Sequence, residues 1–150
     1  MDAIGLSGAE WLAVLRIGLG LWWLESWRHK DKKGWFERGT GIAWAADVAG
    51  KHKWNAVRSG FEVVVKPRPK TMAYVVVYAE LALGVGLILG FLTPIALVGG
   101  LLLNLLYFTL MIHDWAEQGQ NAMMGLISLV ALFAMSWQAW SLDHAIGLFS

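Results

Sequence analysis

The chain has 150 residues, of which 57% are hydrophobic and 15% are charged, whereas typical soluble domains contain about 25% charged residues. The absence of cysteine excludes disulfides, thiolate metal sites and cysteine-ligated iron–sulfur clusters. This length and composition favour one integral membrane domain, residues 1–150.

Four apolar stretches approach the roughly 20 residues that a helix needs to cross a bilayer. We therefore predict an all-α membrane protein, a bundle of four transmembrane helices at residues 10–27, 71–90, 94–113 and 121–140. Thr93 suits the N-cap of the third helix, and Pro94 suits its first helical position. Because Gly90 ends the second helix, the second and third helices should form a tight antiparallel hairpin.

Residues 28–70, between the first two predicted spans, hold eleven of the twelve Lys and Arg residues against four acidic residues, a net charge of +7. Apolar residues in this loop recur at helical spacing in two places, namely Ile42, Ala46 and Ala49, then Trp54, Val57 and Phe61. We predict one or two short amphipathic helices in the membrane interface, with the basic side chains toward anionic lipid headgroups. A small soluble subdomain is the alternative, although the segment has few apolar residues for a core of its own.

The distribution of charge predicts how the bundle is oriented. Every Lys and Arg outside the spans lies in the loop 28–70, so that loop should be cytoplasmic and both termini should be outside. Because membrane helices flank the basic loop, lipid headgroups rather than nucleic acid are its expected partners. Seven tryptophans near predicted helix ends fit aromatic belts at the two interfaces: Trp11, Trp22, Trp23, Trp27, Trp115, Trp137 and Trp140.

Two charged residues fall well inside predicted spans, Arg16 in the first and Glu80 in the second. Charges within a bilayer are costly and generally face a partner or a cavity. Counting from the predicted helix ends at about 1.5 Å per residue places both groups at similar depths on neighbouring antiparallel helices. We predict a buried ion pair between them, or one polar cavity that both border. A purely structural pair that fixes the helix register is the alternative.

A polar cluster, residues 25–30, ends the first span, and within it His29 and Lys30 are candidates for binding an anion or a quinone headgroup. A solvated interface is the plainer interpretation of this cluster. His113 ends the third span, and haem ligation by His113 and His29 from different helices is a further alternative. Since no H-x-x-x-H or E-x-x-H spacing occurs, no intrinsic metal site is expected.

These residues resemble the DoxX/DoxD family of four-helix bacterial and archaeal membrane proteins. Arg16, Gly20 and Lys30 match the spacing in the first helix of that family, and the segment 80–94 resembles its second helix and tight turn. The resemblance covers the first three spans well and the fourth only by hydrophobicity and Asn121. It implies residence in a bacterial or archaeal cytoplasmic membrane.

The resemblance also implies a function. DoxD-like proteins are associated with thiosulfate:quinone oxidoreductase and work with a second subunit, which implies a membrane subunit of a quinone-linked oxidoreductase with quinone as its cofactor. Glu80 and Arg16 would then be catalytic residues in a polar pocket, with Glu80 taking the proton that accompanies quinone reduction, while Lys30 and His29 would lie nearer the headgroups.

A function without catalysis fits the same sequence. Ten tryptophans, glycine-rich helix faces and no evident redox ligands suit a non-catalytic accessory subunit of a larger respiratory or photosynthetic complex. A transporter is less well supported, because the sequence shows no internal repeat or broken helix of the kind that transporters use.

Overall fold

A computed structural model describes residues 5–149, and the regular structure within that range is entirely helical. The described residues form seven α-helices: α1 (Gly8–His29), α2 (Thr40–Gly50), α3 (Asn55–Gly60), α4 (Pro69–Leu89), α5 (Thr93–Leu110), α6 (Trp115–Phe133) and α7 (Leu142–Ala145). Two π-helical turns, Gly34–Arg38 and Phe61–Val65, lie between α1 and α4. The predicted all-α class is confirmed.

Helices α4 and α5 are long and apolar enough to cross a membrane, with mean hydropathies of 2.0 and 1.7. Helices α1 and α6 are comparable in length, at 22 and 19 residues. They are more polar, however, and α1 carries Glu10, Arg16 and Glu25 along its length. In the described part of the chain, the α4–α5 hairpin therefore supplies the two candidate membrane spans.

The four long helices pack as a ring. Helix α1 lies along α4, α5 lies along α6, a short turn joins α4 to α5, and α6 closes the ring against α1. The buried side chains at the centre come from all four helices and from the segment after α6: Leu19, Trp23, Leu83, Leu87, Leu97, Met124, Ala131 and Trp137. Inside a membrane such a core is held by close packing, because lipid is as apolar as these side chains.

A backbone contact between two glycines sets the register of α1 against α4. A Cβ atom at Gly84 would lie 2.9 Å from the amide nitrogen of Leu24, and one at Gly20 would lie 2.9 Å from the carbonyl oxygen of Gly84. Only residues without a side chain permit helices to approach so closely. The antiparallel pair is therefore fixed with Gly20 opposite Gly84.

The turn between α4 and α5 is capped by a residue far away in the sequence. Gly90 ends α4 in the left-handed conformation, at φ 64°. The N-cap of α5 is Leu92 and its first residue is Thr93, so the prediction that Thr93 is the N-cap and Pro94 the first helical residue is wrong by one position. The reason is that the carboxylate of Asp143 accepts hydrogen bonds from the amides of Leu92 and Thr93, at 2.8 and 2.7 Å. This carboxylate does what an N-cap side chain ordinarily does.

The sixth helix begins and ends earlier than the apolar pattern predicts. It starts at Trp115 rather than residue 121, because Asp114 accepts hydrogen bonds from the amides of Ala116 and Glu117. It ends at Phe133 rather than residue 140, and the chain beyond it turns through Met135 and Trp140, both with positive φ. A polar first turn hides a helix start from any search for apolar residues.

The segment between α1 and α4 is anchored to the ring at two points. The ring of Phe36 stacks on that of Tyr74 in α4, with 4.4 Å between centroids. The imidazole of His52, which is buried, lies 2.9 Å from the carbonyl oxygen of Thr109 at the end of α5 and accepts a hydrogen bond from the amide of Trp54.

The seven tryptophans assigned to belts include exposed and buried side chains, and Trp27 lies between the two as a half-buried one. Trp11, Trp22 and Trp140 are about half exposed and Trp115 is more so, as an aromatic belt requires. Trp23 and Trp137 are instead buried in the core, so their assignment to a belt is wrong. Proximity to a helix end does not decide which face of the helix a side chain occupies.

The glycine contact predicts a large effect for a small substitution. We expect Gly84→Ala to destabilise the protein by about 1–3 kcal/mol, because the added methyl group forces α1 away from α4. Gly18→Ala on α1 is the matched control, since a Cβ there meets nothing within 4 Å. Thermal unfolding in detergent measures both, and an equal midpoint for the two variants would contradict the close approach.

The hydrogen bonds that Asp143 accepts at the start of α5 predict a local loss of stability when its carboxylate is removed. We expect Asp143→Ala to cost about 1–2 kcal/mol, as loss of an N-cap does, and to speed hydrogen exchange at the amides of Leu92 and Thr93. The control is Asp47→Ala, which removes only an exposed carboxylate paired with Lys51 and should change stability little. Unchanged exchange at the two amides would show that the cap is unimportant.

Candidate functional site

Glu80 is the buried acid around which polar side chains from three helices gather. The side chain of Glu80 in α4 is fully buried. Its Oε2 lies 2.5 Å from Lys30 Nζ and accepts a 3.3 Å hydrogen bond from the Ser26 hydroxyl, while its Oε1 accepts a 2.9 Å hydrogen bond from the Tyr107 hydroxyl. We call Glu80, Lys30, Ser26 and Tyr107 the Glu80 cluster.

Lys30 connects the Glu80 cluster to the polar end of the ring. It immediately follows α1, and its side chain is 14% exposed. Its ammonium also donates to the Ser26 hydroxyl at 3.2 Å and lies 5.2 Å from the centre of the Trp35 ring, a cation–π distance. The first π-helical turn thus covers the lysine, and the ammonium stays between the buried carboxylate and the surface.

Tyr107 connects the Glu80 cluster to the interior. It lies in α5, and its ring centroid is 6.5 Å from that of Trp23 in α1. Beyond it, the indole nitrogen of Trp23 and both amide atoms of Asn104 are buried and make no hydrogen bond within residues 5–149. A row of polar groups therefore runs from Lys30 at the surface to Asn104 inside the ring.

The arrangement suits proton transfer. The carboxylate is paired with an ammonium and bonded to two hydroxyl groups, which is the environment that a buried charge needs. Tyr107 both donates and accepts hydrogen bonds, so it can pass a proton between Glu80 and a group on its inner side.

Arg16 lies elsewhere, and the predicted ion pair with Glu80 is wrong. Its guanidinium donates to the carbonyl oxygens of Ser136, Ala139 and Trp140, at 3.0, 3.3 and 2.6 Å, near the α4–α5 turn. The contact between Gly20 and Gly84 explains the error, because it places Ser26 rather than Arg16 at the level of Glu80. Arg16 and Ser26 are ten residues apart along α1, about 15 Å, so Arg16 and Glu80 do not border one cavity.

The two candidate histidines lie outside the Glu80 cluster. His29 is largely exposed, and its Nδ1 lies 3.1 Å from the Glu25 carbonyl oxygen. Glu25 also binds Arg28 through two 2.7 Å hydrogen bonds, which raise the pKa of Arg28. His113 is exposed in the turn after α5. Of the predicted site residues, the structure brings together only Lys30 and Glu80.

Tyr107 was missed by the sequence analysis, and a signal for it does exist. Asn104 and Tyr107 stand three residues apart, so they share a face of α5. A polar residue at each of two such positions within an apolar helix marks a face that packs inward. The partner of that face, Glu80, lies on the preceding helix of the hairpin.

Comparison with known families identifies the chain. The DoxX family model matches residues 11–114, a stretch that includes all but the first three residues of α1, the whole of α4 and α5, and the whole Glu80 cluster. A search of curated proteins and a search of solved structures each returned no match. The match covers more than half of the chain, and the two apolar helices of the hairpin agree with integration into a membrane. The chain belongs to the DoxX family of membrane proteins.

Proposed function

We propose that this protein is the membrane subunit of a quinone-linked oxidoreductase in which the Glu80 cluster handles the protons of quinone reduction. The observation that carries the proposal is a fully buried carboxylate bonded to both a surface-facing ammonium and an inward-facing phenol. Thiosulfate is the electron donor that we propose, oxidised by a partner subunit. That partner would pass the electrons to quinone at the membrane subunit.

The surroundings of the Glu80 cluster suit a quinone. An apolar groove of about 720 Å³ runs between α4 and α5, and its lining includes Leu83 and Leu103. These residues are about one helical turn from Glu80 and Tyr107, so a hydrocarbon chain in the groove would end near the cluster. A quinone bound there supplies the acceptor for two electrons and two protons.

Tyr107, Glu80 and Lys30 each have a separate role in the proposed proton transfer. The Tyr107 hydroxyl donates a proton toward the interior, and Glu80, once protonated, restores it through their hydrogen bond. Lys30 balances the carboxylate charge and, being partly exposed, exchanges protons with the aqueous side. Arg16 is assigned to structure rather than catalysis, because its partners are backbone carbonyl groups that do not take up protons.

Four spans complete the proposed membrane arrangement. We propose that α1 and α6 cross the bilayer beside the hairpin, with Arg16 and Glu80 satisfied inside the ring. The basic segment 28–70 then lies on the cytoplasmic face against anionic headgroups, and both termini lie outside. The cytoplasmic assignment rests on the net charge of +7 in that segment.

A non-catalytic accessory subunit is the second candidate. The same apolar groove between α4 and α5 favours it, since small residues such as Gly86 and Gly99 would let a helix of a larger complex approach. In that case the Glu80 cluster would serve only to hold α1, α4 and α5 together.

Substitution of the buried acid tests the first candidate. We expect Glu80→Gln to lower thiosulfate-dependent quinone reduction by about 100-fold or more, because the amide cannot deliver a proton. The control is Glu25→Gln, which alters an exposed carboxylate near the Lys30 end of α1 and should leave the rate unchanged. Native membranes and a short-chain ubiquinone provide the assay.

The double variant Glu80→Gln/Lys30→Gln separates catalysis from structure. A buried ion pair that loses one partner destabilises a protein, and removal of both partners restores much of the loss. We expect the thermal midpoint to recover in the double variant while the rate stays low. Recovery of both would make the Glu80 cluster a structural device and would favour the accessory subunit.

Single cysteines test the orientation, because the chain has none of its own. We expect Gln138→Cys to react with a membrane-impermeant maleimide in intact cells and Ser59→Cys to react only after permeabilisation. Both positions are exposed in the structure. The reverse pattern would place the basic segment outside.

A further inference from the structure

A groove with charged walls lies between α2 and the second π-helical turn, and we call it the α2 groove. It measures about 580 Å³, within the range of pockets that hold small ligands. Two ion pairs line it, Lys51 with Asp47 on α2 and Lys66 with Glu62 at the turn, each with 2.6 Å between the charged atoms. These four charges sum to zero, although the segment 28–70 as a whole carries +7.

The rest of the α2 groove is mainly apolar. Ile42 and Ala46 of α2 contribute to its lining, as does Pro69 at the start of α4. An apolar lining beside two pairs of opposite charges suits an amphipathic ligand. The charged end of such a ligand can meet the ion pairs while its hydrocarbon part covers the apolar side chains.

Large apolar side chains are exposed on both elements that form the α2 groove. Trp44 precedes Asp47 by three residues, so the two share a face of α2, and Trp44 is 55% exposed. Val63, next to Glu62, is 70% exposed. Exposed tryptophan and valine side chains among lysines are typical of a helical segment that lies in the membrane interface. A lipid headgroup is therefore the ligand class that these surroundings favour.

Both ion pairs can exchange partners with a ligand at low cost. Their side chains are 61% to 72% exposed, and exposed pairs contribute little to stability. A phosphate can replace the carboxylates beside Lys51 and Lys66, because lysine binds phosphate as a compact positive charge. Asp47 and Glu62 then need a cation, and a primary ammonium offers them three N–H donors.

This chemistry distinguishes among phospholipid headgroups. An anionic headgroup such as phosphoglycerol satisfies the lysines but leaves both carboxylates without a cation. A trimethylammonium group has no N–H to donate, and proteins bind such groups chiefly with aromatic rings. Among the described residues that line the α2 groove, none is aromatic. A phosphoethanolamine headgroup carries a phosphate and a primary ammonium together.

We propose that the α2 groove binds the headgroup of a phosphoethanolamine lipid, with Lys51 and Lys66 on its phosphate and Asp47 and Glu62 on its ammonium. This inference rests on the proposed membrane arrangement, in which the segment 28–70 lies at the membrane surface, and it is independent of quinone chemistry. The bound lipid would hold α2 to the second π-helical turn, which leads into α4.

A headgroup methylation series tests the proposal on the wild-type protein. The purified full-length protein in detergent is mixed with ethanolamine phospholipids that differ only in the number of N-methyl groups, and bound lipid is counted by native mass spectrometry. We expect binding to fall about tenfold from phosphoethanolamine to phosphocholine, because methylation removes N–H donors. Equal binding across the series, or stronger binding of phosphoglycerol than of phosphoethanolamine, overturns the proposal.

The double variant Asp47→Asn/Glu62→Gln tests whether the α2 groove is the site. We expect it to bind phosphoethanolamine and phosphocholine lipids equally, since it lacks the charges that attract an ammonium. The matched control is Glu25→Gln/Asp31→Asn, which removes the same charge from two exposed ion pairs outside the groove and should keep the preference. All four carboxylates are exposed, so both variants should fold. A preference that survives in the first variant places the lipid elsewhere and refutes the site.

The outcomes distinguish the lipid site from the arrangement on which it rests, because binding in detergent does not depend on orientation. If the methylation series is flat while Ser59→Cys reacts only after permeabilisation, the membrane arrangement stands and the lipid site fails. If the preference depends on Asp47 and Glu62 while Ser59→Cys reacts in intact cells, the site stands and only the cytoplasmic assignment fails.

Discussion

The close approach of Gly20 and Gly84 is the constraint on which the other features of the structure depend. In the proposed membrane arrangement no hydrophobic effect draws α1 and α4 together, because lipid is itself apolar, so contact between backbones carries much of their association. This contact fixes which residues of α1 stand beside which residues of α4. Ser26 and Lys30 come level with Glu80 for that reason, and Arg16 comes level with the α4–α5 turn. The positions of the buried polar groups thus depend on the two glycines, which have no side chains to keep the helices apart.

Arg16 and Glu80 are both buried charges of the long helices, and each is satisfied in a different way. Arg16 donates to carbonyl oxygens of the backbone, with Asp143 as the nearby acid. Glu80 is bonded to an ammonium and two hydroxyl groups, all of which belong to side chains. Backbone carbonyls cannot exchange protons, whereas ammonium and phenol groups can. This difference is why we place proton handling at Glu80 and assign Arg16 to the packing of the helix ends.

The sequence was sufficient to predict the all-α class and the α4–α5 hairpin, and to single out Glu80 as a charge inside a helix bundle. Apolar run length and the Gly90–Pro94 segment carry that information locally. The partner of Glu80 was not predictable in the same way, since it depends on helix register. Depths counted from helix ends assume that those ends are level. The glycine contact sets the levels instead, and it can be recognised only when both helices are seen together.

The cap on α5 was missed for a related reason. Thr93 is a good N-cap residue by type, and nothing near it in the sequence indicates a competitor. Asp143 reaches the turn only because the chain folds back after α6. Similarly, Trp23 and Trp137 lie near helix ends, as belt residues do, but they face the core. Local patterns predict elements well, and they predict contacts between distant segments poorly.

The bonding of Arg16 has a consequence for how the protein is made. Its three carbonyl partners lie 120 to 124 residues later in the chain. In the proposed arrangement, α1 enters the membrane before the ribosome has made any of those partners. The arginine must remain solvated, or be shielded by the insertion machinery, until the segment after α6 emerges. Final placement of α1 therefore waits for the segment that follows α6.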